Sequence, residues 1–187
     1  MWTEVELKAH VDDPDAVLAL LEARYGAGAQ YIKEDIYYRL PGPDGKGVGR
    51  SGGGEPIEFR LRREDGRAVV TAKRKSLSGG IEVNAENEFT VDDPAAFEVF
   101  AGYLGAVVFS HKRKEGRSFT AGGATIELSN VMGLGWFVEI EELVDAGRPG
   151  EVERARERVA GLLAAIGVPA ERIEPRYYTD MLAELDE

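Results

Sequence analysis

The sequence predicts an α+β fold, a closed or nearly closed eight-stranded, mostly antiparallel β-barrel made of two pseudo-repeated halves with helices packed outside. Three observations lead there. Charged and apolar residues alternate at period two in five separate segments, as in strands with one polar and one apolar face. Val11-Asp12-Asp13-Pro14 recurs as Val91-Asp92-Asp93-Pro94, an offset of 80 that also lays Glu6 on Glu86. Each copy precedes a helical stretch and then a run of strands, and closing such a sheet hides its edges. The 187 residues are read as one domain, with halves at about 1–80 and 81–145 and C-terminal helices over 149–185.

Taken in order, Glu4-Val5-Glu6-Leu7-Lys8 forms the first strand, with two carboxylates and an ammonium on one face and Val5 and Leu7 on the other. Asp13 then caps a helix that has Pro14 in its first turn, runs through Val17, Leu20 and Leu21, and stops at Gly26. Strands follow at 31–40, 57–63 and 67–75, the last two joined by the Glu64-Asp65-Gly66 turn. Between the first two, residues 41–56 are too glycine-rich to hold one conformation unaided and are read as a mobile hairpin loop, able to close over a site as a lid. Gly47-x-Gly49-x-x-Gly52 inside it matches a dinucleotide fingerprint only formally, because it neither follows a parallel-sheet strand nor opens a helix.

The second half opens on an acidic strand bearing Glu86 and Glu88. Its helix is capped by Asp93 and runs through Phe97, Phe100 and Leu104 to Gly105. Strands follow at 107–114, 117–121, 124–129 and 136–142, with glycine turns at Gly122-Gly123 and Gly133-Leu134-Gly135. Glu151–Gly167 is a helix with Val152, Val159, Leu162, Leu163 and Ile166 on one stripe. Tyr177–Leu185 is a second, shorter one, packing through Tyr178, Met181, Leu182 and Leu185.

Composition narrows the function. Apolar residues make up 43% of the chain, yet no run of about 18 exists to span a membrane. The N-terminus enters a strand without a secretory pattern. The absence of cysteine excludes disulfides and thiolate metal sites and agrees with a cytoplasmic protein. A net charge of -11 disfavours a nucleic-acid surface, which needs a basic footprint. Basic residues nonetheless concentrate at Arg60, Arg62, Arg63, Lys73, Arg74 and Lys75 and again over Lys112–Arg117, which suits a small anion in a recess. His10 and His111 stand alone, so a metal would rest on carboxylate oxygens, as Mg²⁺ or Mn²⁺ does.

The alternating strands admit two readings. Their charged faces can be solvated outer surface over a buried apolar face. Alternatively, Val5/Leu7, Phe59/Leu61, Val70/Ala72, Ile126/Leu128 and Val138/Ile140 are covered by the helices from outside, and the charged faces turn inward. In the second case acidic and basic strands face each other across a bore, the arginines suiting bidentate phosphate contact and the carboxylates a divalent metal.

Glu4-x-Glu6-x-Lys8 resembles the ExExK signature of the CYTH, or triphosphate tunnel metalloenzyme, superfamily, and the likeness continues along nearly the whole chain. Asp35-Ile36-Tyr37-Tyr38 resembles its D-x-Y-[FY] strand, Phe59-Arg60-Leu61-Arg62 its L-R-[IL]-R, Thr71-Ala72-Lys73 its T-x-K, and Glu86-Asn87-Glu88 its E-x-E. Leu134-Gly135-Trp136-Phe137-Val138-Glu139-Ile140-Glu141 is most like the block of the class IV adenylate cyclase branch, and Tyr178-Thr179-Asp180-Met181-Leu182 is similar to the closing S-Y-x-x-L-L helix.

The resemblance implies a tunnel that binds a triphosphate (ATP, inorganic tripolyphosphate or thiamine triphosphate) with Mg²⁺ or Mn²⁺, and either cyclises ATP, hydrolyses the triphosphate or only binds it. It implies metal on Glu4, Glu6, Glu139 and Glu141, phosphates on Lys8, Arg60, Arg62, Lys73, Lys112, Lys114 and Arg117, and catalysis by Glu4, Glu6, Lys8 and Glu139. Glu86 and Glu88 are assigned to the acidic wall. The family also leaves a homodimer open. Two departures stand out: Ser129 replaces the acid of an L-D-x-V pattern, and the strand around Lys112–Arg117 allows two registers, one with Gly116 at an arginine position.

Overall fold

A computed structural model of the chain describes residues 2–40 and 57–185; the glycine-rich 41–56 segment, with its expected lid, lies outside them. Eight strands form one closed antiparallel barrel: β1 (Trp2–His10), β2 (Ala29–Leu40), β3 (Ile57–Glu64), β4 (Arg67–Ser78), β5 (Ile81–Thr90), β6 (Val107–Ala121), β7 (Ala124–Val131) and β8 (Gly135–Asp145). Helix α1 (Pro14–Tyr25) follows β1 and α2 (Pro94–Tyr103) follows β5, so the order β1–α1–β2–β3–β4 is repeated as β5–α2–β6–β7–β8. Two further helices, α3 (Glu151–Ala165) and the short α4 (Tyr178–Ala183), end the chain.

Local sequence accounts for the helix ends. The Asp13 carboxylate accepts from the amide of Ala16 and that of Asp93 from Ala96, each at 3.0 Å, and a proline opens both helices. Gly26 and Gly105 follow with φ of 81°, a left-handed conformation that glycine adopts without strain.

Around the barrel the strands run β1-β5-β4-β3-β2-β6-β7-β8 and close back on β1. The apolar faces point outward and are covered. Val5 and Leu7 of β1 pack with Ile126, Leu128, Val138 and Ile140 beneath α1 and α3, through Val17, Leu21, Val159 and Leu163. Leu61, Val70 and Tyr38 pack beneath α2 through Ala101 and Phe97. Covering a leucine or isoleucine fully, as at Leu7, Leu61 and Ile140, contributes roughly 1.5–3 kcal/mol each. Two inward residues, Val131 and Phe137, are covered by Tyr178 and Met181 of α4, which caps part of one barrel end.

One element departs from the expectation. The stretches 107–114 and 117–121 are a single strand, because Gly116 keeps its pairing on both sides, to Tyr31 of β2 and Ser129 of β7. A Cβ at 116 would lie 2.1 Å from the Leu128 carbonyl oxygen, so the glycine marks a close approach of two backbones and not a turn.

Candidate functional site

Because apolar side chains take the outside, every charged residue at the alternate positions is turned into the barrel. The strand order sorts those charges by sign. The contiguous strands β7, β8, β1 and β5 bring in Glu127, Glu139 and Glu141, Glu4 and Glu6, and Glu82, Glu86 and Glu88. The other four, β4, β3, β2 and β6, bring in Lys73, Arg60 and Arg62, Lys33, and Lys112 and Lys114. Lys8 is the base on the acidic side and Asp35 the acid set among the bases. Between the walls lies a cavity of about 240 Å³. It is smaller than the roughly 300–1,000 Å³ of pockets for drug-sized ligands and suits a compact anion.

The basic wall carries its own counter-charge. Asp35 accepts two hydrogen bonds from Arg62, at 2.7 and 2.9 Å, and lies 3.1 Å from the Lys112 ammonium. Burial opposes its ionisation, but Lys112 and Arg62 outweigh burial and hold the carboxyl well below its usual range. Arg60 donates to the Thr71 hydroxyl at 3.0 Å, and that hydroxyl donates to Glu88 at 2.7 Å. Where the walls meet at β6 and β7, Lys114 donates to Glu127 at 2.8 Å and also to Glu139, while Lys33 donates to Glu127. Burial would raise Glu139, but the charges of Lys114 and Lys112 bring it down to about 2. Lys114, buried between two acids, is held well above its ordinary value.

The acidic wall is short of positive charge. Lys73 reaches across to Glu4 at 2.9 Å and to Glu86, and Lys8 lies 3.6 Å from Glu82. Glu6 and Glu141 enter none of these ion pairs. Burial, and then the neighbouring charge of Glu4, push the Glu6 carboxyl up to about 7. Burial, then Glu4 and Glu6, push Glu141 up to about 8. At the barrel end where β1 begins, Glu4, Glu86, Glu88 and Glu141 also line a second cavity of about 420 Å³.

Crowded, half-buried oxygen donors that repel one another are the surroundings that a hard divalent cation relieves, so the acidic wall fits Mg²⁺ or Mn²⁺ in its chemistry. Among the described residues, no three acidic or histidine side chains are drawn together as a ready-made shell.

The residues expected from the sequence are thus brought into one bore, with one correction. Arg117 lies outside the barrel, paired with Glu22 of α1. Pairing of Arg117 with Leu128, an outward residue, fixes that orientation; Lys112, Lys114 and Gly116 take the inner face. Of the two registers open in the sequence, the structure adopts the one that puts Gly116 inward, with no room there for a side chain.

Sequence reasoning missed Lys33, Asp35, Glu82 and Glu127. Period two could have found them: Lys33 and Asp35 alternate with Ile32 and Ile36, and Glu127 lies between the outward Ile126 and Leu128. Glu127 also changes the meaning of Ser129, which is fully buried on the inner face two residues away. The carboxylate expected at 129 is present one inward position earlier on the same strand.

A family model, "CYTH domain", matches residues 3–178. No curated protein sequence matches the chain. Among solved structures, the chain is similar to the PH1819 protein of Pyrococcus horikoshii, with 25% identity and a TM-score of 0.79, covering 97% of this chain and 99% of that one. A Vibrio parahaemolyticus protein named as a candidate adenylate cyclase shares the fold, at 19% identity and a TM-score of 0.76 over 96% and 97% of the two chains. So does HpAC1 of Hippeastrum, described by its dominant triphosphatase activity, at 17% identity and a TM-score of 0.63 over 100% and 96%.

Proposed function

The chain belongs to the CYTH domain family, and on that premise we propose that it is a divalent-metal-dependent enzyme that converts ATP to cyclic AMP and pyrophosphate. The carrying observation is the division of one bore into a basic wall and a cation-deficient acidic wall. A triphosphate lies between them, its oxygens taking hydrogen bonds from Arg60, Arg62, Lys73, Lys112, Lys114 and Lys8. Glu4, Glu6, Glu139 and Glu141 would hold Mg²⁺ or Mn²⁺, with Glu86 and Glu88 extending that wall. When bound, the metal opposes negative charge on the phosphate oxygens as it builds up.

The residues of the chain position and neutralise. The ribose 3′-oxygen bonds to the α-phosphorus, the bond from that phosphorus to the α–β bridging oxygen breaks, and pyrophosphate departs. The hydroxyl proton passes to solvent. Arg60 and Arg62 stabilise the departing pyrophosphate because they sit in a mostly buried wall, held in place by Thr71 and Asp35, where charge-assisted hydrogen bonds count for more than in water. Glu4, Glu6, Lys8 and Glu139 are the residues assigned to the reacting end.

A second reading, attack of water on a phosphorus of ATP, tripolyphosphate or thiamine triphosphate, is favoured by the triphosphatase activity described for the Hippeastrum protein of the same fold. Incubation of the purified protein with ATP or tripolyphosphate and Mg²⁺ or Mn²⁺ separates the two. Cyclic AMP with pyrophosphate supports the first, orthophosphate the second, and binding without any product leaves a non-catalytic polyphosphate binder.

A further inference from the structure

The ends of the bore differ. The strand directions place the acidic cavity at the end where β1 and β7 begin and β8 ends. The other end, where β2 finishes and β3 and β6 start, carries an aromatic group instead. There the pairing of β2 with β6 slips between Tyr37 and Tyr38: Tyr37 faces Ser110 and Tyr38 faces Val108, so Phe109 is the extra residue of a bulge. Strict alternation from the inward Lys112 would turn Phe109 outward. The bulge re-aims it, and its ring lies 6.1 Å from that of Tyr37, tilted by 55°. The guanidinium of Arg39 sits 4.4 Å over the Phe109 ring and is held there by two hydrogen bonds to Glu58, at 2.9 and 2.6 Å. Tyr37 itself lines the charged cavity, and the Lys112 ammonium is 5.8 Å from its ring centre. An aromatic pair therefore stands about one pentose away from a candidate phosphate-binding lysine.

We propose that Tyr37 and Phe109 form a stacking platform for a planar heteroaromatic group carried by the triphosphate, so that this bore takes a nucleoside or related triphosphate in preference to bare tripolyphosphate. This rests on the reading of the bore as a triphosphate site and adds to it the side chains that select an organic triphosphate over an inorganic chain. The small cavity holds the phosphate chain, and the heterocycle stays at the rim against Tyr37 and Phe109, whose ring the Arg39 guanidinium backs from one face. Stacking tolerates any base, since each has a π-face, so the platform separates nucleotides from inorganic chains and not one base from another.

The test is calorimetric binding of ATP, thiamine triphosphate and inorganic tripolyphosphate, each with Mg²⁺, to the wild-type chain and to Phe109→Ala and Phe109→Leu. Phe109→Leu keeps apolar volume and guards against misfolding, which a melting curve checks. The expected result is roughly tenfold or greater weakening for the heteroaromatic ligands, with tripolyphosphate changed less than about twofold. A loss confined to ATP assigns the platform to a nucleobase, and a loss confined to thiamine triphosphate assigns it to the thiamine rings. Equal losses for all three ligands, or no loss for any, overturn the platform while leaving the triphosphate site standing. A wild-type chain that binds none of the three overturns both.

Discussion

The two walls of the bore contain similar numbers of charged groups but are in different electrostatic states. On the basic side, a buried acid partly balances two of the bases and leaves the wall positive: Asp35 holds Arg62 and Lys112 in fixed positions. On the acidic side, Lys73 serves Glu4 and Glu86, while Glu6 and Glu141 sit half-buried beside other acids with their carboxyls pushed up. One wall is preorganised to receive an anion, and the other stores a repulsion that a cation relieves. A buried ion pair contributes little net stability against an apolar replacement, so this arrangement reads as a binding device in place of packing.

The comparison can be broken first at the seam. Lys114→Met leaves Glu127 and Glu139 buried without their shared ammonium and is expected to cost about 3–5 kcal/mol in chemical denaturation at pH 7; a loss below 1 kcal/mol would mean that the seam is solvated. Next comes Asp35→Asn, which takes from Arg62 and Lys112 the counter-charge they share. Urea unfolding should show about 2–3 kcal/mol lost.

Glu141→Gln sharpens the contrast from the other side. A carboxyl whose folded pKa is raised stabilises the fold fully below the unfolded value of about 4.5, and that contribution is lost as pH rises through about 8. Removing the charge should therefore leave stability at pH 4 almost unchanged and raise it at pH 9 by a few kcal/mol, on the order of 1.4 kcal/mol for each pH unit between the unfolded and folded values. The same substitution should abolish metal-dependent turnover. Arg60→Ala should lower kcat/KM for the triphosphate roughly tenfold in steady-state kinetics, with a loss in kcat as well as a rise in KM because the guanidinium meets the departing pyrophosphate. The smallest effect belongs to Arg117→Ala, outside the bore. It should change stability by less than about 0.5 kcal/mol and leave activity unaltered.

Most of the fold was legible because barrel strands with one apolar face write period two directly into the sequence, and Asp13-Pro14 and Asp93-Pro94 mark both helix starts. Strand β6 was not, since glycine signals a turn locally while its real cause, contact with the Leu128 carbonyl, is tertiary. The charged set was visible at Glu4, Arg60 and Glu139 because strict alternation gathers the charges of each strand on one face, and the resemblance to the family chose the inward of the two faces that alternation left open. Arg117 misled because a basic run cannot say which of its members face in. Ser129 read as a lost acid until the neighbouring strands placed Glu127 on its face, so Ser129→Asp should crowd a fully buried position and lower stability, with no gain in turnover. The aromatic rim was out of reach, because a bulge reverses the alternation on which the reading depends.

The account is tested most directly by a crystal structure with Mn²⁺ and a non-hydrolysable ATP analogue, locating the metal by its anomalous signal. The account predicts manganese against carboxylates of the Glu4, Glu6, Glu139 and Glu141 set, with the phosphates on Arg60, Arg62 and Lys112. Manganese elsewhere on the molecule, or an analogue seated outside the barrel, would contradict it.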